Sequence, residues 1–574
     1  MKLLCVVLAF LFLVPVSAQD STRLGLGFGA AYNGEDFITH INDLGISHFH
    51  INIKWSWFEP SPGQYQDSIL DAFLNQLPQN SEALIRISTR ENTFYNDSAT
   101  GYTVPMDLSI GSPYYDFVHH IVSRDTAKKV KYYENEYEFN FTKHWGGENN
   151  TNPDPIDLGN KYADLTRTTE AAIADANPDA LFVLGGTTRT TNNYSETLLR
   201  TALANLVASD SLKGHCDYYD QHLYRDLYGI PDALAWYENI KNDYPAFADK
   251  PIFCTEYAGP ITSEFANDTA LNSLMYNLLA NDYCILAGDM NGYGLPDHYR
   301  MFAYGIEAEL EAKRDSIQAN NYVQRTLMGL ANGVERMYIW SFESKWFSKT
   351  TISGTCNYKN ITFGKLALSE TDYNDSFIGT NSNYDYFKTF VGIFNNTKTV
   401  IQDTSYLLQN IYFFELETFQ SDTFYVVWEK RDQFYGVYDP AINFSFNTTW
   451  DCVNIKNLFG RNDTIFSSGG IASFEINDIP LILSKCGNIA EIPNLSGQAK
   501  SSVVVNPNPA SSSIQIKTNS GKYSLVIYDQ MGKAVQSIRA CSSDNIDIRN
   551  LSKGLYLFYV KTDNGSETRK IVVR

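Results

Sequence analysis

Long apolar runs, cysteine and basic charge are all scarce in this chain. Beyond the first twenty residues no stretch approaches the roughly 18–20 apolar residues that a membrane-crossing helix needs, so a membrane-spanning chain is not expected. Only 8 cysteines occur in 574 residues, and Cys5 lies in the apolar N-terminal segment. The others, Cys216, Cys254, Cys284, Cys356, Cys452, Cys486 and Cys541, are scattered and odd in number, so at least one stays unpaired and no disulfide framework carries the fold. Neither a CxxC nor an HExxH spacing is present, which removes the commonest metal-binding signatures. Lys and Arg total 45 against 65 Asp and Glu, a net charge of −20, so phosphate contacts are disfavoured and nucleic acid is not an expected partner.

What is present is aromatic. With 8 Trp, 38 Tyr and 34 Phe, 44% hydrophobic residues and only 19% charged, the chain is globular rather than disordered. Flat rings with polar tips suit neutral ligands that have apolar faces, sugars above all.

The N-terminus reads as a secretory signal peptide over residues 1–18: Lys2, an apolar stretch over 3–14, and the small-residue site Val16-Ser17-Ala18. Export is expected. Eight β-rich apolar runs follow, at 24–29, 46–53, 83–88, 128–135, 180–185, 216–222, 251–255 and 336–342, separated by stretches of helical period. That alternation predicts an α/β fold, a (β/α)₈ barrel over 19–370, with its chemistry at the strand ends. From about 384 to 485 closely spaced strands without helical period predict an antiparallel β-sandwich, as a domain over 371–490. A last all-β module spans 501–574. It holds ten Lys or Arg and five Asp or Glu, a net of +5, so residues 1–500 carry −25.

Two strand ends offer paired carboxylates. The run KKVKYYENEYEF puts Asn135-Glu136 at the end of strand 4, and KPIFCTEYAGP puts Glu256 at the end of strand 7. A pair of this kind does acid–base and nucleophilic work when one carboxyl holds its proton and the other stays ionised. A carboxyl gap of about 5–5.5 Å gives retention through a covalent intermediate, and a wider one gives inversion.

Residues 24–345 resemble the retaining (β/α)₈ glycoside hydrolases of clan A. The matching stretches are Asn135-Glu136 after strand 4, Glu256 after strand 7, WSWFEPSPGQY at 55–65, DQHLY at 220–224 and YIWSFES at 338–344. The resemblance implies Glu136 as proton donor, Glu256 as nucleophile, and Asn135 on the sugar 2-hydroxyl. It further implies His222 and Tyr224 as partners of the nucleophile, Trp340 beneath the reacting sugar, a β-linked poly- or oligosaccharide substrate, and no cofactor or metal. The clan's strand-2 Arg aligns with His50 here, and Arg86 on strand 3 is the available substitute. Residues 501–574 resemble the type IX secretion C-terminal sorting domain through Asn506-Pro507-Asn508-Pro509, YDQMGK at 528–533 and the closing LSKGLYLFYV and KIVVR. That resemblance implies secretion machinery as a partner and a secreted or cell-surface location.

Two other readings compete. A barrel without turnover would make this a surface glycan-binding protein, although two glutamates at paired places argue for chemistry. His48-Phe49-His50, two imidazoles facing one way on a strand, would start a metal-dependent hydrolase site, but the further ligand set is lacking.

Overall fold

The computed structural model describes residues 23–28, 37–78, 81–89, 94–95, 104–141, 145, 154–188, 193–208, 216–224, 226–261, 297–302, 308–343, 346–351, 354–359, 365–371, 376–486, 504–506, 510–517, 523–528, 534–541, 545–562 and 565–574. The expected signal peptide lies outside them, as do Pro507 to Pro509 and most of the YDQMGK turn. The chain divides into two compact units, Met1–Ile489 and Ala490–Arg574.

All eight expected runs become strands of one closed parallel barrel: β1 (Leu24–Gly27), β2 (His48–Lys54), β3 (Glu82–Ser88), β4 (Val130–Tyr137), β5 (Leu181–Thr188), β6 (Tyr218–His222), β7 (Ile252–Tyr257) and β8 (Val334–Trp340). β1 closes the ring by pairing with both neighbours, Gly27 facing His50 on β2 and Trp340 on β8. The main helices before the second domain are α1 (Phe37–Leu44), α2 (Asp67–Gln76), α3 (Pro113–Arg124), α4 (Pro155–Ala176), α5 (Asn193–Ala208), α6 (Ile230–Asn242) and α7 (Ala308–Ala331). Start signals sit where the physics asks for them: Ser112 and Asp154 accept backbone N–H bonds at the starts of α3 and α4, each followed by Pro in the first turn.

Strand alternation builds the interior in layers. Leu84, Tyr132, Val183, Phe253 and Tyr338 form an apolar plug, fully buried. Two residues further along their strands stand Arg86, Glu134, Thr255 and Trp340, so a polar layer lies directly on the plug toward the mouth.

Past the barrel come the hairpin β9 (Trp346–Thr351) and β10 (Gly354–Lys359), then the paired β11 (Ser369–Thr371) and β12 (Phe377–Thr380). The sandwich follows as β13 (Thr397–Asp403), β14 (Ile411–Thr418), β15 (Thr423–Glu429), β16 (Ile442–Asn447), β17 (Cys452–Lys456), β18 (Asn462–Phe466), β19 (Ile471–Ile476) and β20 (Leu481–Lys485). Six of these form a sheet in the order β13-β14-β15-β20-β17-β18, and β16 pairs with β19. A disulfide joins Cys452 to Cys486, tying β17 to the end of β20, while Cys216 and Cys254 are free and buried.

One expectation fails here. The stretch from 384 reads as free of helix, yet Ser382–Phe394 forms α8. Its aromatic residues look like strand material singly, but Tyr384, Phe387, Val391 and Phe394 recur at helical spacing and are buried together. They pack into the same core as the barrel and as Tyr412, Phe414, Val426 and Trp428 from one face of the six-stranded sheet. The opposite face of that sheet, with Phe413, Val427 and Leu483, packs on Phe444 and Phe474 of β16 and β19. The large sheet is thus buried on both faces, and the sandwich and barrel share a core.

The C-terminal unit has its own core around Ile514, Leu525, Ile527, Ile548, Phe558 and Val560. Its strands make one sheet of three and one of four.

Candidate active site

Burial of a charge is costly unless it is paired, so the layer above the plug organises itself around one guanidinium. Arg86, fully buried at the end of β3, bonds Glu256 Oε1 and Thr255 Oγ1 and stands 3.0 Å from Glu134 Oε2 and 3.6 Å from Asp220 Oδ2. His50, on the neighbouring strand β2, makes a different bond. It donates from Nε2 to the Thr255 carbonyl at 2.9 Å. Burial first, and then the Arg86 charge, hold the His50 pKa down at about 3, so it stays neutral.

His222 is the second cation. Its Nε2 lies 3.0 Å from Asp220 Oδ2, and its Nδ1 lies 3.1 Å from Glu138 Oε1 and 3.6 Å from Glu256 Oε2. Burial opposes the charge, but Glu256 and Asp220 outweigh it and raise the imidazole well above its usual value. A Cβ on Gly186 of β5 would collide with this ring and with Asp220, so only glycine fits there.

The carboxyls divide accordingly. Burial would raise Glu256, yet His222 and Arg86 together hold it below the ordinary carboxylate value. Asp220 is likewise brought down to about 2 against its burial, by His222 and Arg86. Glu134 goes the other way, raised well above normal by burial that Arg86 only partly offsets. Glu134 thus shares the Arg86 guanidinium with Glu256 and Asp220 and is the one of the three whose proton burial favours.

Glu256 reaches this layer by an irregularity. Thr255 points to the axis, so strict alternation would turn Glu256 outward. Between Cys254 and Tyr257, however, β7 carries one residue more than its partner β8, and the bulge re-aims the side chain. Tyr224, just beyond β6, then donates its hydroxyl to Glu256 Oε2 at 2.9 Å. Trp340 closes the same side, stacked on His50 at 5.7 Å between ring centroids. Of the sequence candidates, the structure therefore brings together Glu256, His222 and Tyr224, with Trp340 one ring away.

Strand 4 departs from expectation. Asn135 points away from the mouth: its amide donates to Thr166 on α4 at 3.0 Å and its side-chain carbonyl accepts from the Gly185 N–H at 3.0 Å. Alternation forces this, because Glu134 beside it faces the axis. Glu136 has a positive φ of 59° and is turned onto the end of β3, where Ser88 Oγ donates at 3.0 Å and the Thr89 N–H and hydroxyl also bond its carboxylate. Its exposure is 1%. Glu138, just past the end of β4 and also at positive φ (46°), is the carboxyl that shares His222 with Glu256. The distances of 3.1 and 3.6 Å to one nitrogen bound the gap between those two oxygens at 6.7 Å, their sum. The signal that would have found Glu138 is the repeat Glu134, Glu136, Glu138 itself, read with a break in the alternation.

The other motif residues are structural. Glu59 of WSWFEPSPGQY accepts from Trp55 Nε1, from the Gly63 N–H at 2.6 Å and from the Tyr95 hydroxyl at 2.9 Å, stapling the turn. Trp145 is buried and donates to the Leu158 carbonyl on α4. His48 lies against the Arg336 guanidinium, a poor neighbour for a metal ion. Among the described residues Glu134, Asp220 and His222 converge closely enough to hold a cation, but Arg86 already stands against both carboxylates.

Comparison with solved structures places the fold. A family 39 glycoside hydrolase from the gut symbiont Bacteroides cellulosilyticus WH2 aligns over 81% of this chain and 81% of its own, with a TM-score of 0.53 and 12% identity. A family 30 subfamily 8 xylanase from Clostridium acetobutylicum aligns over 82% of this chain and 97% of its own, with a TM-score of 0.45 and 11% identity. No curated protein matches the sequence. Residues 504–574 match the secretion system C-terminal sorting domain. The chain therefore joins a (β/α)₈ barrel, of the fold seen in that family 39 glycoside hydrolase and packed against a β-sandwich, to a region that matches the secretion system C-terminal sorting domain.

Proposed function

We propose that this protein is an exported retaining glycosidase of β-linked poly- or oligosaccharides, with Glu256 as nucleophile and Glu138 as proton donor. The observation that carries the reading is the meeting of these two carboxyls on His222, with Arg86 and Tyr224 also bonded to Glu256. Glu256, held ionised, attacks the anomeric carbon as the glycosidic C–O bond breaks, and Glu138 passes its proton to the leaving oxygen. Glu138 then takes a proton from water, whose oxygen displaces Glu256 and releases the sugar with retained configuration. Trp340 offers a face to the sugar, and His222 and Tyr224 fix the nucleophile. No step calls for a metal or a cofactor. The N-terminal segment would direct export and the sorting domain would hand the chain to the secretion machinery at the cell surface.

The test is product release from a panel of β-linked polysaccharides and aryl β-glycosides by the mature protein beside Glu256→Gln. Cleavage of one substrate class with a loss of at least about a thousandfold in the variant supports the reading. Binding of a glycan without any cleavage would make the barrel a surface glycan-binding protein instead.

A further inference from the structure

We propose that the β-sandwich carries a glycan-binding platform, formed by Tyr435 and Tyr438, on the rim of the barrel mouth. The inference builds on the glycosidase reading and adds a second contact for the same polymer.

The segment between β15 and β16 packs beside the end of β7. Phe434, 4% exposed, is packed in a cluster with Ala258, Met301, Phe302, Ile317 and Leu366, against which Tyr224 also packs. Ala258 lies two residues beyond Glu256, and Tyr224 is the hydroxyl that bonds Glu256. The aromatic residues that follow Phe434 are thus anchored beside the site by a buried ring.

Tyr435 and Tyr438 nevertheless stay out in solvent, 52% and 74% exposed. Exposed tyrosines ordinarily rotate freely, but both of these are tied at their polar tips. The Tyr435 hydroxyl lies 3.2 Å from His298 Nδ1, and the Tyr438 hydroxyl accepts from Lys313 Nζ at 2.9 Å. The same ammonium sits 3.7 Å from the Phe434 ring centre and 4.3 Å from that of Tyr438. The backbone beneath is equally fixed. Asp432 Oδ1 accepts from the N–H groups of Phe434 and Tyr435, and the Arg431 guanidinium donates to the carbonyls of Gly436, Asp439 and Pro440.

Two rings whose orientation is already set lose little entropy when a ligand stacks on them. What stacks on a phenol face is an apolar face with polar edges, and a pyranose ring has one. The charge of −25 on residues 1–500 disfavours an acidic polymer, so the expected occupant is a neutral β-linked glycan chain already engaged at the mouth.

The experiment uses the full-length protein and the double variant Tyr435→Ala/Tyr438→Ala. With the polysaccharide that the wild type cleaves best, KM is expected to rise about tenfold, while kcat/KM on an aryl monosaccharide stays unchanged. Tyr438→Phe, which keeps the ring, is expected to retain most of the polymer affinity. Unchanged polymer kinetics would overturn the platform, and so would equal losses on both substrates, which would make the segment a brace for the rim. If the wild type cleaves nothing, the glycosidase reading falls. Retardation of wild type and double variant in gels containing each polysaccharide then decides the platform separately: retardation lost in the double variant supports it, and equal or absent retardation overturns it.

Discussion

The ends of β7 and β4 break strand alternation in opposite senses. In β7 one extra residue before Tyr257 turns Glu256, which regular pleating would send outward, into the polar layer. In β4 the pleat holds through Glu134 and Asn135, and then the positive φ values of Glu136 and Glu138 bend the chain so that Glu136 leaves the axis and Glu138 reaches His222. Non-glycine residues at positive φ cost on the order of 1–3 kcal/mol each and cluster where function holds them. The lesson is that the period of 2 predicts the inner layers of a barrel well and its rim poorly, because the ladder bonds that enforce the pleat end there.

The largest expected effect separates the strand-4 glutamates. Glu138→Gln should lose about 10²–10⁴-fold in kcat on substrates with poor leaving groups and far less on aryl glycosides with acidic phenols, since the missing element is proton transfer. Glu136→Gln should keep most of its kcat and lose stability instead, because three donors at Ser88 and Thr89 then face a weaker acceptor. Steady-state kinetics on both substrate types checks this, and a larger kinetic loss in Glu136→Gln would reverse the assignment.

A second prediction probes the cation on which both strand ends depend. Arg86→Met leaves Glu256 and Asp220 with one positive partner in a buried site, so chemical denaturation should show a loss of about 3–5 kcal/mol. The pH profile carries the sign. Arg86 and His222 depress Glu256, so its ionised form persists to pH values below the ordinary carboxylate range, and its contribution to stability is lost only as pH falls through that depressed value. Without Arg86 the acid limb of kcat/KM should move to higher pH. An unmoved limb would mean that His222 alone sets the charge of Glu256.

The smallest effect concerns the outward face of β4. Asn135→Ala removes its two bonds, to Thr166 on α4 and from the Gly185 N–H, while Tyr162 still pairs with both groups; losing two hydrogen bonds should cost about 1–3 kcal/mol in denaturation while KM for substrate stays the same. A selective rise in KM at unchanged stability would return Asn135 to the sugar.

Much of the molecule is legible in its sequence. Eight apolar β-rich runs predict eight barrel strands, and Arg86, a lone charge inside the run ALIRIS, marks itself as a supporting cation. The helix α8 is not legible in this way, because YDYFKTFVGIF matches strand composition while its burial follows helical spacing. Glu138 escapes for a different reason. Residue type and spacing favour the Asn-Glu pair at 135–136, and only the backbone dihedrals show which carboxyl turns inward.

By itself the sequence determined the architecture, the export tail and the nucleophile candidate, because hydrophobic period, turn residues and charge segregation are local properties that each segment carries with it. Tertiary structure alone decided which strand-4 carboxyl meets Glu256, where Asn135 points, and that the sandwich shares the core of the barrel. Those outcomes depend on a bulge paired against β8, on two positive φ values, and on a buried guanidinium that must find its counter-charges. None of these is a property of one segment, and each exists only once the strands have closed into a ring.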